Sequence, residues 1–122
     1  MASSSEPRIY TFLADAALAA YKAVKAGSDD EHVAVCSAAT DKIVGIVQSV
    51  STAAEDSIEV AMPGGGAKAL LGGTVAVGDL LTSDANGALI ATTTANNRVI
   101  AVAMAAGVSG DVIGVEVQVS NV

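Results

Sequence analysis

The chain is poor in aromatic residues, with two tyrosines, one phenylalanine and no tryptophan among 122 residues. Hydrophobic residues nevertheless make up 52% of the sequence, so valine, isoleucine, leucine and alanine must build the core. A fully buried valine or leucine contributes only about 1.5–3 kcal/mol. We therefore expect a thin single domain that needs a partner subunit to complete its core.

Cysteine and histidine occur once each, which removes most catalytic and metal-binding arrangements. Cys36 cannot form an internal disulfide, and the apolar run before it suits a buried thiol. One cysteine and one histidine are too few for a structural zinc site. His32 follows an acidic turn and is interpreted as a solvated turn residue, and no serine lies in a Gly-x-Ser-x-Gly elbow. The sequence thus predicts no enzymatic activity and no catalytic, metal-binding or cofactor-binding residue.

Two glycine-containing stretches resemble ligand loops only in part. Thr82–Gly87 has Asp, Asn and Gly in calcium-loop order, but its twelfth position would be Thr93, where a glutamate is required. A hairpin turn is the better interpretation. Gly64–Lys68 lacks the spacing of a phosphate loop, and no helix-forming stretch follows it. We interpret it as a flexible connection.

Basic residues are also scarce, with six lysines and arginines against 13 acidic residues and a net charge of −7. The six are scattered rather than clustered, which argues against nucleic-acid binding and against acidic membranes. No segment approaches the roughly 20 apolar residues of a membrane helix. The N-terminus lacks the pattern of a secretion signal. We therefore expect a soluble protein that is synthesised in a cytoplasm.

What the sequence does contain is an internal repeat. Asp41–Val47 and Asn97–Ala103 each join a polar-basic pair to a run rich in β-branched residues. Each is followed by small residues and a second run, which begins at Asp56 and at Asp111 respectively. The acidic or amide markers are spaced alike, from 41 to 56 and from 97 to 111. A duplicated hairpin of this kind predicts a two-lobed β module.

The fold class predicted from these patterns is all-β. Val112–Val119 alternates apolar residues with small or polar ones, which indicates a strand with one buried face. We expect a compact sandwich or small barrel, built from pseudo-repeats at about 20–62 and 72–119 within one domain, 9–122. Asp15–Ala20 has good helix formers and predicts a short helical turn, with Tyr21–Lys25 extended after it.

Residues 1–8 are serine-rich and contain a proline, so they predict an extended N-terminal arm. Ile9–Phe12 allows two interpretations. It holds two of the three aromatic residues, which favours an anchor on the arm, because aromatic side chains are frequent interface hot spots. Its alternation equally suits the first strand of the domain.

Several stretches together resemble the small capsid decoration (cement) proteins of tailed bacteriophages. The most specific is Gly78–Gly87, with the sequence Gly-Asp-Leu-Leu-Thr-Ser-Asp-Ala-Asn-Gly. The resemblance runs from about residue 20 to 119. Its other stretches are Ala23–Gly27, Asp41–Ile46, Gly72–Val77 and Gly107–Val117.

This resemblance implies a β-rich protein on the outer surface of the virion capsid, bound to the major capsid protein and stabilising contacts between capsomers. It also implies a homo-oligomer, commonly a trimer, and no catalytic residues. The exposed apolar strands expected from the composition agree with self-association. The alternative function is a ligand- or carbohydrate-binding β module of a tail or surface appendage, although such modules usually display more aromatic side chains.

The predicted capsid contacts all lie at the N-terminus, where an arm could bind by strand addition. They are Ser5, Pro7, Arg8, Ile9, Tyr10 and Phe12.

Overall fold

A computed structural model of the chain describes residues 8–29, 31–95 and 97–121. Every regular element within these ranges is a β-strand, which confirms the all-β prediction. No helix of the described residues is long and apolar enough to span a membrane. The strands are β1 (Ile9–Ala14), β2 (Ala23–Ala26), β3 (His32–Val35), β4 (Ile43–Val47), β5 (Ser57–Ala61), β6 (Gly66–Leu70), β7 (Leu80–Ser83), β8 (Leu89–Ala91), β9 (Arg98–Ala103) and β10 (Val112–Asn121).

Strands β1 to β5 form a closed barrel in the order β1-β3-β2-β4-β5, which we call unit one. The first strand, β1, pairs antiparallel with β5 over five residues and parallel with β3 over two. Alternate side chains of the strands point inward and fill the barrel with small aliphatic groups. The buried interior residues are Ala14, Leu18, Val24, Val33, Val47, Ile58 and Val60.

Strands β6 to β10 form a second sheet in the order β6-β10-β9-β7-β8, which we call unit two. This order repeats that of unit one when the closed barrel is followed from β1 in the opposite direction, through β5, β4, β2 and β3. For example, β6 pairs with β10 as β1 pairs with β5. The isolated bridges repeat as well. Leu18 bridges Ser51 in unit one, as Val75 bridges Gly107 in unit two. The two predicted pseudo-repeated units are therefore confirmed by their topology.

The repeats begin earlier than the sequence indicated, because β1 and β6 both precede the predicted ranges 20–62 and 72–119. Residues in the first three strands of the two units correspond at an offset of 57, as Ile9 and Gly66 show. The strands Ile-Tyr-Thr-Phe-Leu-Ala and Gly-Ala-Lys-Ala-Leu share almost no side chains. The two strands are equivalent because their backbones pair in the same way with β5 and β10, which a comparison of side chains does not detect.

An exchange of aspartate and glycine supports the duplication. Asp15 of unit one lies against Gly27, and a Cβ atom at Gly27 would overlap its carboxylate. In unit two the corresponding positions are reversed, because Asp84 lies against Gly72 and excludes a Cβ atom there. One carboxylate thus fills the same space in each unit. In unit one it comes from the first of the two equivalent positions, and in unit two it comes from the second.

The helical turn predicted for Asp15–Ala20 is wrong. Asp15 does not cap a helix, because its carboxylate accepts hydrogen bonds from the Ser28 backbone N–H (2.9 Å) and hydroxyl (2.8 Å). Leu18 is buried in the barrel and bridges Ser51. Tyr21 has a positive φ of 70°, so the strand that follows begins at Ala23. Tertiary pairing overrides the helix propensity of the alanines here.

A shared core joins the two units. Ile46 and Cys36 of unit one are fully buried among apolar side chains of unit two such as Leu81 and Ile100. Burial raises the pKa of the Cys36 thiol to about 12, so the thiol is a core group and not a reactive one. Near this core the Gln48 side chain accepts from the Lys68 backbone N–H (3.2 Å) and donates to its carbonyl (2.9 Å).

Candidate interaction surfaces

Four of the six predicted capsid contacts lie on or beside β1, within the barrel and not on a separate arm. Ile9 and Tyr10 are 41% and 51% exposed. Phe12 is half-buried and packs against the barrel interior. The Arg8 carbonyl accepts a hydrogen bond from the Met62 N–H at 2.7 Å, which continues the β1–β5 ladder. Ile9–Phe12 is therefore the first strand of the domain, while Ser5 and Pro7 lie outside the described residues.

One edge of β1 is only partly covered. Leu13 N–H donates to the Glu31 carbonyl at 2.7 Å, which starts the parallel ladder with β3. The next rung would join the Glu31 N–H to the Thr11 carbonyl, but this N–H donates to Asp29 Oδ1 at 2.9 Å. The ladder stops there, and the edge of Ile9–Phe12 remains free of partners among the described residues. A groove of about 380 Å³ runs along this edge.

His32 lies between two carboxylates. Its Nδ1 and Nε2 atoms are 2.6 Å from Asp29 Oδ1 and from Glu55 Oε2, and its side chain is only 11% exposed. The hydrogen bonds to Asp29 and then to Glu55 raise the pKa of His32 to about 9. At neutral pH the imidazolium donates to both carboxylates. The solvated turn residue that we expected is instead a clamp between the β2–β3 turn and the β4–β5 loop.

We predict that this clamp makes stability fall on the alkaline side of neutrality. A pKa of about 9 in the folded protein, against about 6.5 unfolded, gives stabilisation that is complete below about pH 6.5. It is lost as the pH rises through 9. Urea unfolding should show a lower free energy of unfolding at pH 9 than at pH 6, and His32→Gln should remove this difference.

The ring resonances of this single histidine provide an independent measurement. They should titrate in NMR spectra with a midpoint near 9. A midpoint near the ordinary histidine value would show that the two carboxylates do not hold the proton.

Much of the negative charge caps turns. The carboxylates of Asp41, Asp56, Asp79 and Asp111 each accept the backbone N–H of the residue three positions earlier, at 2.9–3.2 Å. Backbone hydrogen bonds, from Ser37 and Thr52 respectively, hold the pKa values of Asp41 and Asp56 below the usual range. Within the described ranges, no group of three or more acidic, histidine or cysteine side chains could hold a metal ion.

A second groove, of about 520 Å³, lies on unit two and was not predicted from the sequence. It is lined by Gly78, Asp79 and Leu80 from one segment and by Ala91–Thr93 from the next. Leu80 is 38% exposed here, and Val77, next to the groove in sequence, is 66% exposed. A weak sequence signal for this groove was present. Val77 and Leu80 flank the Gly78-Asp79 turn, and a turn does not require apolar residues at these positions.

Comparison with known proteins gives a match in structure only. No protein-family model matches the chain, and no curated protein matches its sequence. Its fold is similar to the crystal structure of the head fiber gp8.5 N base of bacteriophage phi29, with a TM-score of 0.72. The match covers 93% of this chain and 95% of the other at 19% sequence identity. The likeness therefore shows that the two chains share a fold over nearly their whole length.

Proposed function

We propose that this protein is a structural component of a tailed-phage virion, a decoration protein bound to the outer surface of the capsid. The observation that carries the proposal is the whole-length fold likeness to the base of a phage head fiber. The sequence resemblance to decoration proteins supports it independently, because that resemblance rests on turn and strand patterns and not on strand topology. The fold likeness and the sequence resemblance thus both support a role on the exterior of a phage head.

The chemistry of the surface suits this role. Seven aspartates accept backbone N–H groups in turns, so much of the acidic excess stiffens loops; they are Asp15, Asp29, Asp41, Asp56, Asp79, Asp84 and Asp111. An acidic exterior with scattered basic residues does not attract nucleic acid. The protein acts by binding and not by catalysis, with the major capsid protein as its partner and three copies as its assembly.

The second candidate is a ligand- or carbohydrate-binding module of a surface appendage. It is favoured by one observation, that the similar solved structure is the base of a fiber. The groove on unit two is the obvious ligand site, but no aromatic side chain lines it. Sugar rings usually stack on aromatic side chains, so we prefer the decoration role.

The test uses phage heads that lack this protein, mixed with purified protein and examined by cryo-electron microscopy. Added protein should occupy regular positions on the outer capsid surface and raise the temperature at which heads release DNA. Deleting residues 2–7 together with Tyr10→Ala should abolish head binding while the solution mass stays unchanged. Val112→Ala, which shortens another exposed side chain (45%), is the matched control. Heads that bind no protein would contradict the capsid role. Heads that bind the double variant as well as the wild type would contradict the N-terminal contact.

A further inference from the structure

Part of the β1 backbone points away from β5 and has no partner on its other side. The Arg8 carbonyl and the Ala14 N–H bond to residues that flank β5, at 2.7 Å and 3.0 Å. Hydrogen-bonding direction alternates along an antiparallel pair, so the even-numbered residues of β1 face β5 and the odd-numbered ones face the opposite edge. The N–H and carbonyl groups of Ile9 and Thr11 therefore lie on that edge, unpaired within the described ranges.

The equivalent edge of unit two is covered within the molecule. Lys68 of β6 corresponds to Thr11 at the 57-residue offset of the two units. The Gln48 carboxamide accepts from the Lys68 N–H (3.2 Å) and donates to the Lys68 carbonyl (2.9 Å). A carboxamide offers the same donor and acceptor pair as a peptide group, so Gln48 takes the place of one rung of a ladder. At Thr11 this rung is missing, and a peptide group of another chain could supply it.

Two cavities border the free edge, and Phe12 lines both of them. The first is the groove of about 380 Å³ along β1, which Glu31 also lines. The second, of about 240 Å³, lies at the end of the barrel, and we call it the barrel mouth. Its apolar lining residues are Phe12, Ala26, Val33, Val44 and Met62. A residue paired with Tyr10 would place its side chain on the face of β1 that Tyr10 shares with Phe12, beside this mouth.

The rim of the two cavities is acidic. Asp29 lines the barrel mouth and Glu31 lines the groove. The imidazolium of His32 supplies one positive charge, but Asp29 and a second carboxylate already share it. The Arg8 side chain packs against Gly64, at the other end of the strand. A basic side chain in the occupant would therefore meet a complementary charge at Glu31.

We infer that the free edge of β1 binds an extended segment of the capsid protein by strand addition, an inference that rests on the proposed function and deepens it. The segment pairs with the backbone of Ile9 and Thr11. It inserts one aliphatic side chain into the barrel mouth beside Phe12, and it carries a lysine or arginine at the end nearest Glu31. Backbone hydrogen bonds supply the affinity, and the mouth and its acidic rim supply the specificity.

The chain's own N-terminus does not have the composition of this segment. Residues 2–6 are one alanine, three serines and a glutamate. None of these side chains would fill an apolar cavity, and the glutamate would meet the like charge of Glu31. A foreign segment with an aliphatic and a basic residue fits the edge better.

Thr11→Pro is the direct test, because proline removes the N–H that faces the free edge and leaves the bonds to β5 in place. Binding to phage heads that lack this protein should weaken at least about tenfold, as for a central interface contact. Thr11→Val keeps the N–H and should bind as the wild type does. Thermal melting followed by circular dichroism shows whether both variants are folded. A folded Thr11→Pro protein that binds heads as well as the wild type would overturn the inference and leave the capsid role standing.

A second measurement needs no capsid. A displayed library of random twelve-residue peptides is selected on the wild-type protein and counter-selected on Thr11→Pro. The surviving peptides should share an aliphatic residue with a nearby lysine or arginine, and they should bind Glu31→Lys at least about tenfold more weakly than the wild type. Glu116→Lys, in unit two, is the matched control and should bind them normally. A library that yields no such peptides, or peptides that bind Glu31→Lys normally, would overturn the inference.

Amide hydrogen exchange, measured by NMR, identifies the edge itself. In the isolated protein the amides of Tyr10 and Phe12 should exchange slowly and those of Ile9 and Thr11 rapidly. A selected peptide should slow exchange at Ile9 and Thr11 as well. Slow exchange there without peptide would show that residues 1–7 or a second copy already pair with the edge, which would overturn the inference. Because the peptide and exchange measurements use no heads, a failed strand-addition site and a failed capsid role remain distinguishable.

Discussion

Deleting residues 2–12 is expected to unfold the protein, because the two units share a core, whereas deleting residues 2–7 should leave it folded. The longer deletion removes most of β1, and with it the antiparallel pairing to β5 from Ile9 to Phe12. The barrel then loses the side chain of Phe12 and exposes the paired edge of β5. A barrel with one strand removed has two open edges and a solvated interior, so we expect the shortened protein to show no cooperative unfolding transition.

Circular dichroism and the dispersion of amide NMR signals distinguish the two deletions. The 2–7 deletion should keep the wild-type spectrum and melting temperature. Should the 2–12 deletion also keep both, residues 9–12 would be an appended arm, as one of the two sequence interpretations allowed.

Replacing Ile46 by alanine should lower the free energy of unfolding of the whole protein by about 3 kcal/mol. Ile46 is fully buried and packs in the core cluster that both units share. Among the described residues, this cluster contains no aromatic side chain that could move into the cavity. Because the units share the cluster, they should continue to unfold in one transition.

Chemical denaturation followed by circular dichroism measures this loss. Val50→Ala is the control, because Val50 is 64% exposed and its truncation should change stability by less than about 0.5 kcal/mol. Two separated transitions in the Ile46→Ala protein would mean that the units are independent domains, which contradicts the shared core.

The pattern of the sequence determined the fold class and the duplication. Period-two alternation in Val112–Val119 cannot serve a helix, and the spacing of Asp41 and Asp56 is nearly that of Asn97 and Asp111. Those signals are local, because a strand and its hairpin partner lie close in the chain. The lone Cys36 was likewise interpreted correctly as a core residue, because a short apolar run surrounds it.

Only the tertiary structure decided which segments pair over long distances. Asp15–Ala20 has helix formers, but Leu18 forms an antiparallel backbone bridge with Ser51, 33 residues later. His32 became a clamp because Glu55, in another loop, reaches its ring. The sequence does not indicate such long-range contacts, since any carboxylate could have been the partner of His32.

The candidate surfaces follow the same division. Ile9 and Tyr10 could be singled out from the sequence as exposed apolar candidates, because aromatic and aliphatic residues are unusual beside a polar terminus. The groove at Leu80 was not predicted, because its counterpart Ala23 has the same place in the repeat and is buried. Sequence periodicity reports which face of a strand is apolar. What covers that face depends on how the two units stack, and the stacking buries Ala23 but leaves its counterpart Leu80 exposed.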